Sequence, residues 1–386
     1  MQLTAYYMVL ILFWFSLSVV VYTLFVYPLL AILLAALANR QVHKSRINPK
    51  VTIIIAAYNE EKVIASKIDQ TLRLNYPTEQ MDILIASDGS VDRTDEIVRS
   101  FESRGVRLVR VEGRVGKTIT LNVAATLAKG EIMVFSDATG EYNLDAIQEL
   151  VSNFADPEVG CVSGRVSYCY GADAASDGFR LYQRLAVFIR RAEGLFGSQT
   201  SASGSIHAVR RELFRPTPAR CSPDIFNPLH TVIAGKRVVY ENNAIAIEGS
   251  RNNFREEFRA RVRMGSRAAS STCAIVRLLL ASKNAVYFWQ MISHKLLRWY
   301  LWMFLLLVLI SSSLLALNCQ VYIYALQVQV MLYLAAGFGI VAERMGVRFP
   351  LVSAISLFFI GNVAMAVGFA QCACGNTTGA WDTSRR

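Results

Sequence analysis

Three short apolar runs, rich in β-branched residues, each stop abruptly at an acidic or polar turn. They are VTIIIAAYNEE at 51–61, ILIASDGSVDRTDEI around Asp88, and EIMVFSDATG around Asp137. An apolar run of about four to eight residues reads as a strand buried on both faces, as in a parallel sheet. In an open parallel sheet, ligands bind beyond the carboxyl ends of the strands. Glu60, Asp88 and Asp137 are therefore expected at one crevice. A crevice with several carboxylates suits a metal–phosphate or a nucleotide.

The sequence between these runs predicts an alternation. Strands fall at 51–57, 82–87, 106–111 and 131–136, with helices at 60–74, 92–101 and 117–129. Val63, Ile64, Ile68 and Leu72 give the first helix an apolar face. Asn75-Tyr76-Pro77 ends it, because proline disfavours helix at the residue before it. Strands alternating with helices imply βαβ units, hence an α/β fold with a mostly parallel, Rossmann-like sheet. No GxGxxG or Walker-type loop is present, so the sheet is expected to hold its nucleotide with acidic loops and a metal.

Both ends of the chain are apolar. Residues 1–39, 299–342 and 349–381 contain no Asp, Glu, Lys or Arg. A membrane span needs about 20 apolar residues. The first stretch is expected to hold one long helix or a tight pair, as an anchor (1–39) rather than a cleaved leader, since it lacks a basic start and an AxA-like site. The C-terminal part, 299–374, is expected to hold about three helices, two of them broken near Asn318-Cys319-Gln320. Arg40, His43, Lys44, Arg46 and Lys50 follow the first span, Lys283, Lys295 and Arg298 precede the second, and Arg344 and Arg348 precede the last. By the positive-inside rule all three groups are cytoplasmic. Four spans with the N-terminus outside satisfy them, leaving only Arg385 and Arg386 on the other side. Residues 48–250 then form a cytosolic domain on a plasma (inner) membrane.

The formal charge of +11 follows from such flanks and from attraction to anionic head groups. No nucleic-acid-binding motif is present. The seven cysteines are scattered and form no pair of CxxC units, so neither a disulfide framework nor a zinc site is expected.

AAYNEE, SDGS, the DxD-like SDAT, SGSIHAVRREL and PDIFNPLHTVIAGKRVVYE occur in that order. Together they resemble glycosyltransferase family 2, of the GT-A fold, over about 49–267. One N-terminal span and a C-terminal cluster are also similar to membrane polysaccharide synthases and exopolysaccharide transferases. The resemblance implies a nucleotide-sugar donor, UDP-linked, and a Mg2+ or Mn2+ ion. Such an ion acts as a Lewis acid toward the leaving diphosphate.

Carried over residue by residue, the resemblance makes Asp137 the metal ligand, with Thr139 where the family has a second acid. Asp88 corresponds to the acid on the nucleobase or ribose, unless it only forms an Asx turn before Gly89. Tyr58 and Glu60 correspond to the base and ribose loop, with a first-turn helix acid as the other reading of Glu60. Lys117 is placed at the uracil or diphosphate, or is a solvated lysine. Asp224 corresponds to the general base, or caps a helix; Pro223 replaces the acid that usually precedes it. Ser203, Gly204 and Ser205 offer a small-residue wall to the sugar or acceptor, or a plain turn, and Glu193 is assigned to sugar hydroxyls.

Arg251, Arg255, Arg259, Arg263 and Arg267 repeat at a spacing of four. Like charges so spaced repel along one helix face, so an anionic partner is expected. Head groups suit Arg-rich interfacial helices over 251–298, while a diphosphate suits the guanidinium fork. Arg263 matches the arginine of the family's QxxRW motif, but Ala260 and Met264 replace the glutamine and tryptophan. The leading expectation is a membrane-embedded inverting glycosyltransferase acting on a lipid-linked or growing glycan in exopolysaccharide synthesis. A processive synthase that translocates its own polymer is the alternative, and an inactive membrane scaffold or transporter the third reading.

Overall fold

The structure is a computed structural model that describes residues 2–169, 174–249, 254–347 and 349–375. Arg251, Arg348, Arg385 and Arg386 lie outside the described residues. Eight strands form one sheet: β1 (Val51–Ala57), β2 (Met81–Ser87), β3 (Val106–Arg110), β4 (Ile132–Asp137), β5 (Glu141–Tyr142), β6 (Val159–Cys169), β7 (Ile206–Arg210) and β8 (Arg237–Gly249). Their order is β3-β2-β1-β4-β7-β6-β8-β5. Strands β1 to β4 are parallel, β7 runs antiparallel between β4 and β6, and β6 pairs parallel with β8.

Every residue of β1 is buried, because both faces of the sheet are covered. Ile53 and Ile55 face one core with Ile64, Ile68 and Leu150. Ile54 and Ala56 face the other, with Leu121, Phe226 and Leu229. That second core continues into Ile275, Leu279, Tyr287 and Met291, so the domain shares its interior with the helices that follow it. Register sets the crevice. Ala57 pairs with Ser87, and Ala56 with Asp137, so the turns after β1, β2 and β4 emerge side by side.

The apolar ends are helical. Among the described residues, three helices are long and apolar enough to cross a membrane: Leu3–Ala38, Gln320–Arg344 and Pro350–Ala373. The pair Ala285–Trp299 and Leu301–Leu315, bent by 60°, makes a fourth if taken as one span. Arg255, Arg259, Arg263 and Arg267 of the arginine row lie on the single helix Phe254–Ala281, which packs along helix Pro350–Ala373. Helix Ala174–Phe196 packs against both Tyr27–Ala38 and Pro350–Ala373.

Candidate active site

The first two turns of the crevice are laced together. The Asn59 amide donates to Ser90 Oγ (3.1 Å), the Glu60 amide to Thr94 Oγ1 (2.7 Å), and the Val91 amide to Asn59 Oδ1 (2.8 Å). Asn59 takes a left-handed backbone, φ 51°, which asparagine tolerates. Arg114 lies over the ring of Tyr58, 4.8 Å from its centre. Glu60 accepts the amides of Val63 and Ile64 on its backbone carbonyl and so opens the first helix.

Asp88 is fully buried. Its carboxylate accepts the amides of Val115 (2.9 Å) and Gly116 (3.0 Å) and the hydroxyl of Thr120 (3.0 Å). It therefore fixes the loop that leads into helix Lys117–Thr126. Gly89 is required beside it: φ is +66°, and a Cβ would stand 2.4 Å from the Gly113 carbonyl oxygen.

The start of that helix delivers Lys117, whose Nζ pairs with Asp137 Oδ1 at the end of β4. Both side chains stay partly open to the crevice. Among the described residues no group of three His, Cys, Asp or Glu is arranged to hold a metal.

The wall opposite is the Ser203–Gly204–Ser205 loop. The Ser203 amide donates to Ser163 Oγ (2.9 Å), Tyr142 Oη donates to the Ser205 carbonyl (2.8 Å), and Ser205 Oγ bonds Glu248. A side chain at Gly204 would meet nothing within 4 Å, so the backbone there borders open space. The Ala202 amide donates to the Asp224 carbonyl at 2.7 Å, which ties this wall to helix Pro223–Ile233. Asp224 lies in that helix's first turn, after the N-cap Ser222. Among the described residues nothing hydrogen-bonds its Oδ1, although that atom is shielded from solvent. A buried carboxylate oxygen in this state is open to a hydrogen-bond donor.

Two residues that the sequence patterns did not single out support the site. Lys67 is buried on helix Ile64–Leu72. Its Nζ donates to the Gly140 carbonyl, in the loop after Asp137, and sits 3.9 Å above the Tyr142 ring. Burial pushes this ammonium down to about 7, against the pull of Asp137, Glu141 and Glu248. A lysine between Ile64 and Ile68 on the apolar stripe was its signal. His207 stacks on Phe135 and bridges the Ser203 carbonyl (Nδ1, 2.7 Å) and the Asn227 amide (Nε2, 3.1 Å). Burial lowers its pKa to about 4 despite Asp224 nearby. The ring is therefore neutral, with Nδ1–H donating to Ser203 and Nε2 accepting from Asn227.

One expected ligand sits elsewhere. Glu193 is fully buried, and its carboxylate takes Tyr27 Oη, Thr200 Oγ1 (3.3 Å) and His294 Nδ1 (2.7 Å). Arg263 is half-buried on helix Phe254–Ala281. The crevice thus brings together Tyr58, Glu60, Asp88, Lys117 and Asp137 on one side and Ser203, Gly204, Ser205 and Asp224 on the other.

Residues 52–216 match the family model described as glycosyl transferase family 2. The chain carries a family 2 glycosyltransferase domain. Its sheet is that of the GT-A fold. Along 30% of the chain it is 32% identical to a β-monoglucosyldiacylglycerol synthase of Nostoc sp. (strain PCC 7120 / SAG 25.82 / UTEX 2576), a match spanning 26% of that relative. It is 31% identical to the poly-β-1,6-N-acetyl-D-glucosamine synthase of Staphylococcus aureus (strain COL) over 30% of the chain and 28% of the relative. These curated relatives are thus matched over about a quarter of their length. Among solved structures, the mannosyltransferase PcManGT from Pyrobaculum calidifontis, in complex with GDP-Man and Mn2+, superposes with a TM-score of 0.69. That comparison covers 93% of this chain and 99% of the other at 20% identity, a likeness of fold.

Proposed function

We propose that this chain is a membrane-bound, inverting glycosyltransferase. It moves a sugar from a cytosolic UDP-sugar to a hydroxyl of a lipid-linked or growing glycan. The observation that carries the reading is Asp224: a carboxylate oxygen held out of solvent and left without a hydrogen-bond partner among the described residues, tied through Ala202 to the open Gly204 wall. Asp224 accepts the proton of the acceptor hydroxyl. The freed oxygen attacks the anomeric carbon from the side opposite the diphosphate, and the bond to the diphosphate breaks with its electron pair. Lys117 and Arg263 offset the charge gathered there. Tyr58, Glu60 and the loop fixed by Asp88 form the nucleoside end, and the 203–205 loop faces the sugars.

A divalent ion fits this donor set. Asp137 offers one hard carboxylate oxygen edge toward the crevice, shared with Lys117, and diphosphate and water supply the rest, as Mg2+ commonly accepts. Bound there, Mg2+ or Mn2+ would neutralise the leaving diphosphate. The solved mannosyltransferase with Mn2+ supports this reading.

The test is transfer in purified membranes from labelled UDP- and GDP-sugars, with Mg2+ or Mn2+, comparing wild type with Asp224→Asn. The expected loss is about 10²–10⁴-fold, the worth of a general base, with nucleotide binding retained. Equal rates in the variant would remove Asp224 from the chemistry. Products separated by organic extraction and by gel distinguish single addition to a lipid from polymerisation.

A further inference from the structure

Helix Pro350–Ala373 has the length and apolarity of a span, yet its contacts fix its depth at both ends. Gln329 Nε2 donates to Ser312 Oγ at 3.4 Å, which aligns the antiparallel helices Leu301–Leu315 and Gln320–Arg344. About ten residues further toward the cytosolic side along each, roughly 15 Å by helical rise, Trp302 and Gly339 are level. Gly339 packs against Val352 and Ser356. Trp302 and Tyr300 pack against Phe369, ring centres 5.9 and 4.9 Å apart. Ser356 and Phe369 are separated by about 20 Å of helix, yet they meet neighbours at one depth. A helix crossing the bilayer would separate those depths by nearly its own length.

The flanking helix gives an independent constraint. Helices Phe254–Ala281 and Pro350–Ala373 are in backbone contact where Gly265 meets Gly368 and the Met365 carbonyl. Arg261, paired with Glu257 at 2.6 Å, lies against Gly361, the middle of the apolar helix. Were that helix a span, this ion pair would sit at the bilayer centre, with Arg255 and Arg259 exposed nearby, where charge is expensive.

We infer that helix Pro350–Ala373 lies along the cytosolic face of the membrane as a lipid-binding element and does not cross it. Its uncovered side carries Leu351, Phe358 and Val363, which enter the leaflet. The exposed arginines beside it meet anionic head groups. The chain then crosses three times and returns residue 375 to the cytosol. This rests on the reading that the remaining apolar helices do cross.

Native cysteines test both statements separately. Cys273, Cys319 and Cys374 are exposed, whereas Cys161 and Cys221 are buried. Full-length variants retaining one exposed cysteine, with Cys169 and Cys372 replaced by serine, are placed in sealed vesicles of known orientation and treated with a membrane-impermeant maleimide. Labelling of Cys374 from the same side as Cys273, with Cys319 labelled from the other, is the expected result. Labelling of Cys374 with Cys319, opposite Cys273, overturns the inference. Labelling of Cys319 and Cys273 from one side overturns the crossing itself. If Cys374 is unreactive, a protease-sensitive epitope after Arg386 decides: digestion from the Cys273 side supports the inference, and digestion only from the other side overturns it.

Discussion

Lys67→Met tests whether the buried lysine trades stability for the shape of the Asp137 loop. In the unfolded chain this ammonium has its ordinary value of 10.5; in the fold burial lowers it to about 7. Between these values the unfolded state holds one more proton, so stability rises with pH across the window, by about 1.4 kcal/mol per pH unit. Over the whole window this amounts to roughly 5 kcal/mol that the folded state gives up below neutral pH. Methionine keeps the bulk and removes the charge. Against that gain, the Gly140 carbonyl loses its donor, about 1–3 kcal/mol, and the contact over Tyr142 is lost, about 1 kcal/mol. The variant should therefore be the more stable protein at pH 7, and wild type should overtake it as pH rises. The assay is thermal unfolding of the detergent-solubilised full chain between pH 7.5 and 9. The Tm difference, wild type minus variant, should climb by roughly 3–5 °C per pH unit for a domain of this size. Sugar transfer should fall in the same variant, because the loop after Asp137 loses its tie. A Tm difference flat in pH would refute the reasoning, since Lys67 would then bind its proton equally well folded and unfolded.

Three further outcomes follow from single contacts. Gly89→Ala meets both a left-handed backbone and the Gly113 carbonyl at 2.4 Å; it should lose at least about 1–2 kcal/mol of stability and most nucleotide binding, measurable by calorimetric titration with UDP. His207 has a folded value near 4 against 6.5 unfolded, so the unfolded chain takes up the proton first as pH falls. Stability should drop between pH 6.5 and 4 by up to roughly 3 kcal/mol, and His207→Gln should flatten that slope in chemical denaturation. Asp137→Asn should weaken the Mn2+-dependent gain in UDP affinity by about tenfold or more, the scale of one charged contact; an unchanged gain would move the ion to other ligands.

The parallel half of the sheet was legible because β1, β2 and β4 are buried on both faces, and that burial writes itself as unbroken apolar runs ending in polar turns. The half after Asp137 was not. β6 and β8 owe their pairing to partners distant in the chain, and β8 holds exposed Asn242 and Asn243 within its 13 residues, which blurs any period. The same limit applies to the site. That Asp88, Asp137 and Lys117 share a crevice follows from strand ends. That the Asp88 carboxylate binds the amides of residues 115 and 116 depends on a loop returning after a whole βα unit. Glu193 shows the difference most sharply: the resemblance aims it at sugar hydroxyls, whereas its partners come from the N-terminal helix and from residue 294, elements that no local pattern links to it.

Those partners bear on how rigidly the domain is held on its apolar helices. A fully buried carboxylate is tolerable only if its oxygens are satisfied, and Glu193 draws its partners from three separate parts of the chain: Tyr27, Thr200 and His294. Around it, Gln290 Oε1 accepts the Ser198 amide (3.3 Å), and Trp289 and Ser293 both bond Tyr22 Oη. Swivelling the domain on its apolar helices would strip several buried polar groups at once, at about 1–3 kcal/mol for each left unpaired. The domain and these helices therefore move as one body. Lys295, on the helical run beneath, lies within electrostatic reach of both Glu193 and Asp224, so the floor of the crevice belongs to the same seam. On the proposed function, Asp224 is then held at a constant position relative to the apolar helices, and the acceptor hydroxyl must come to it.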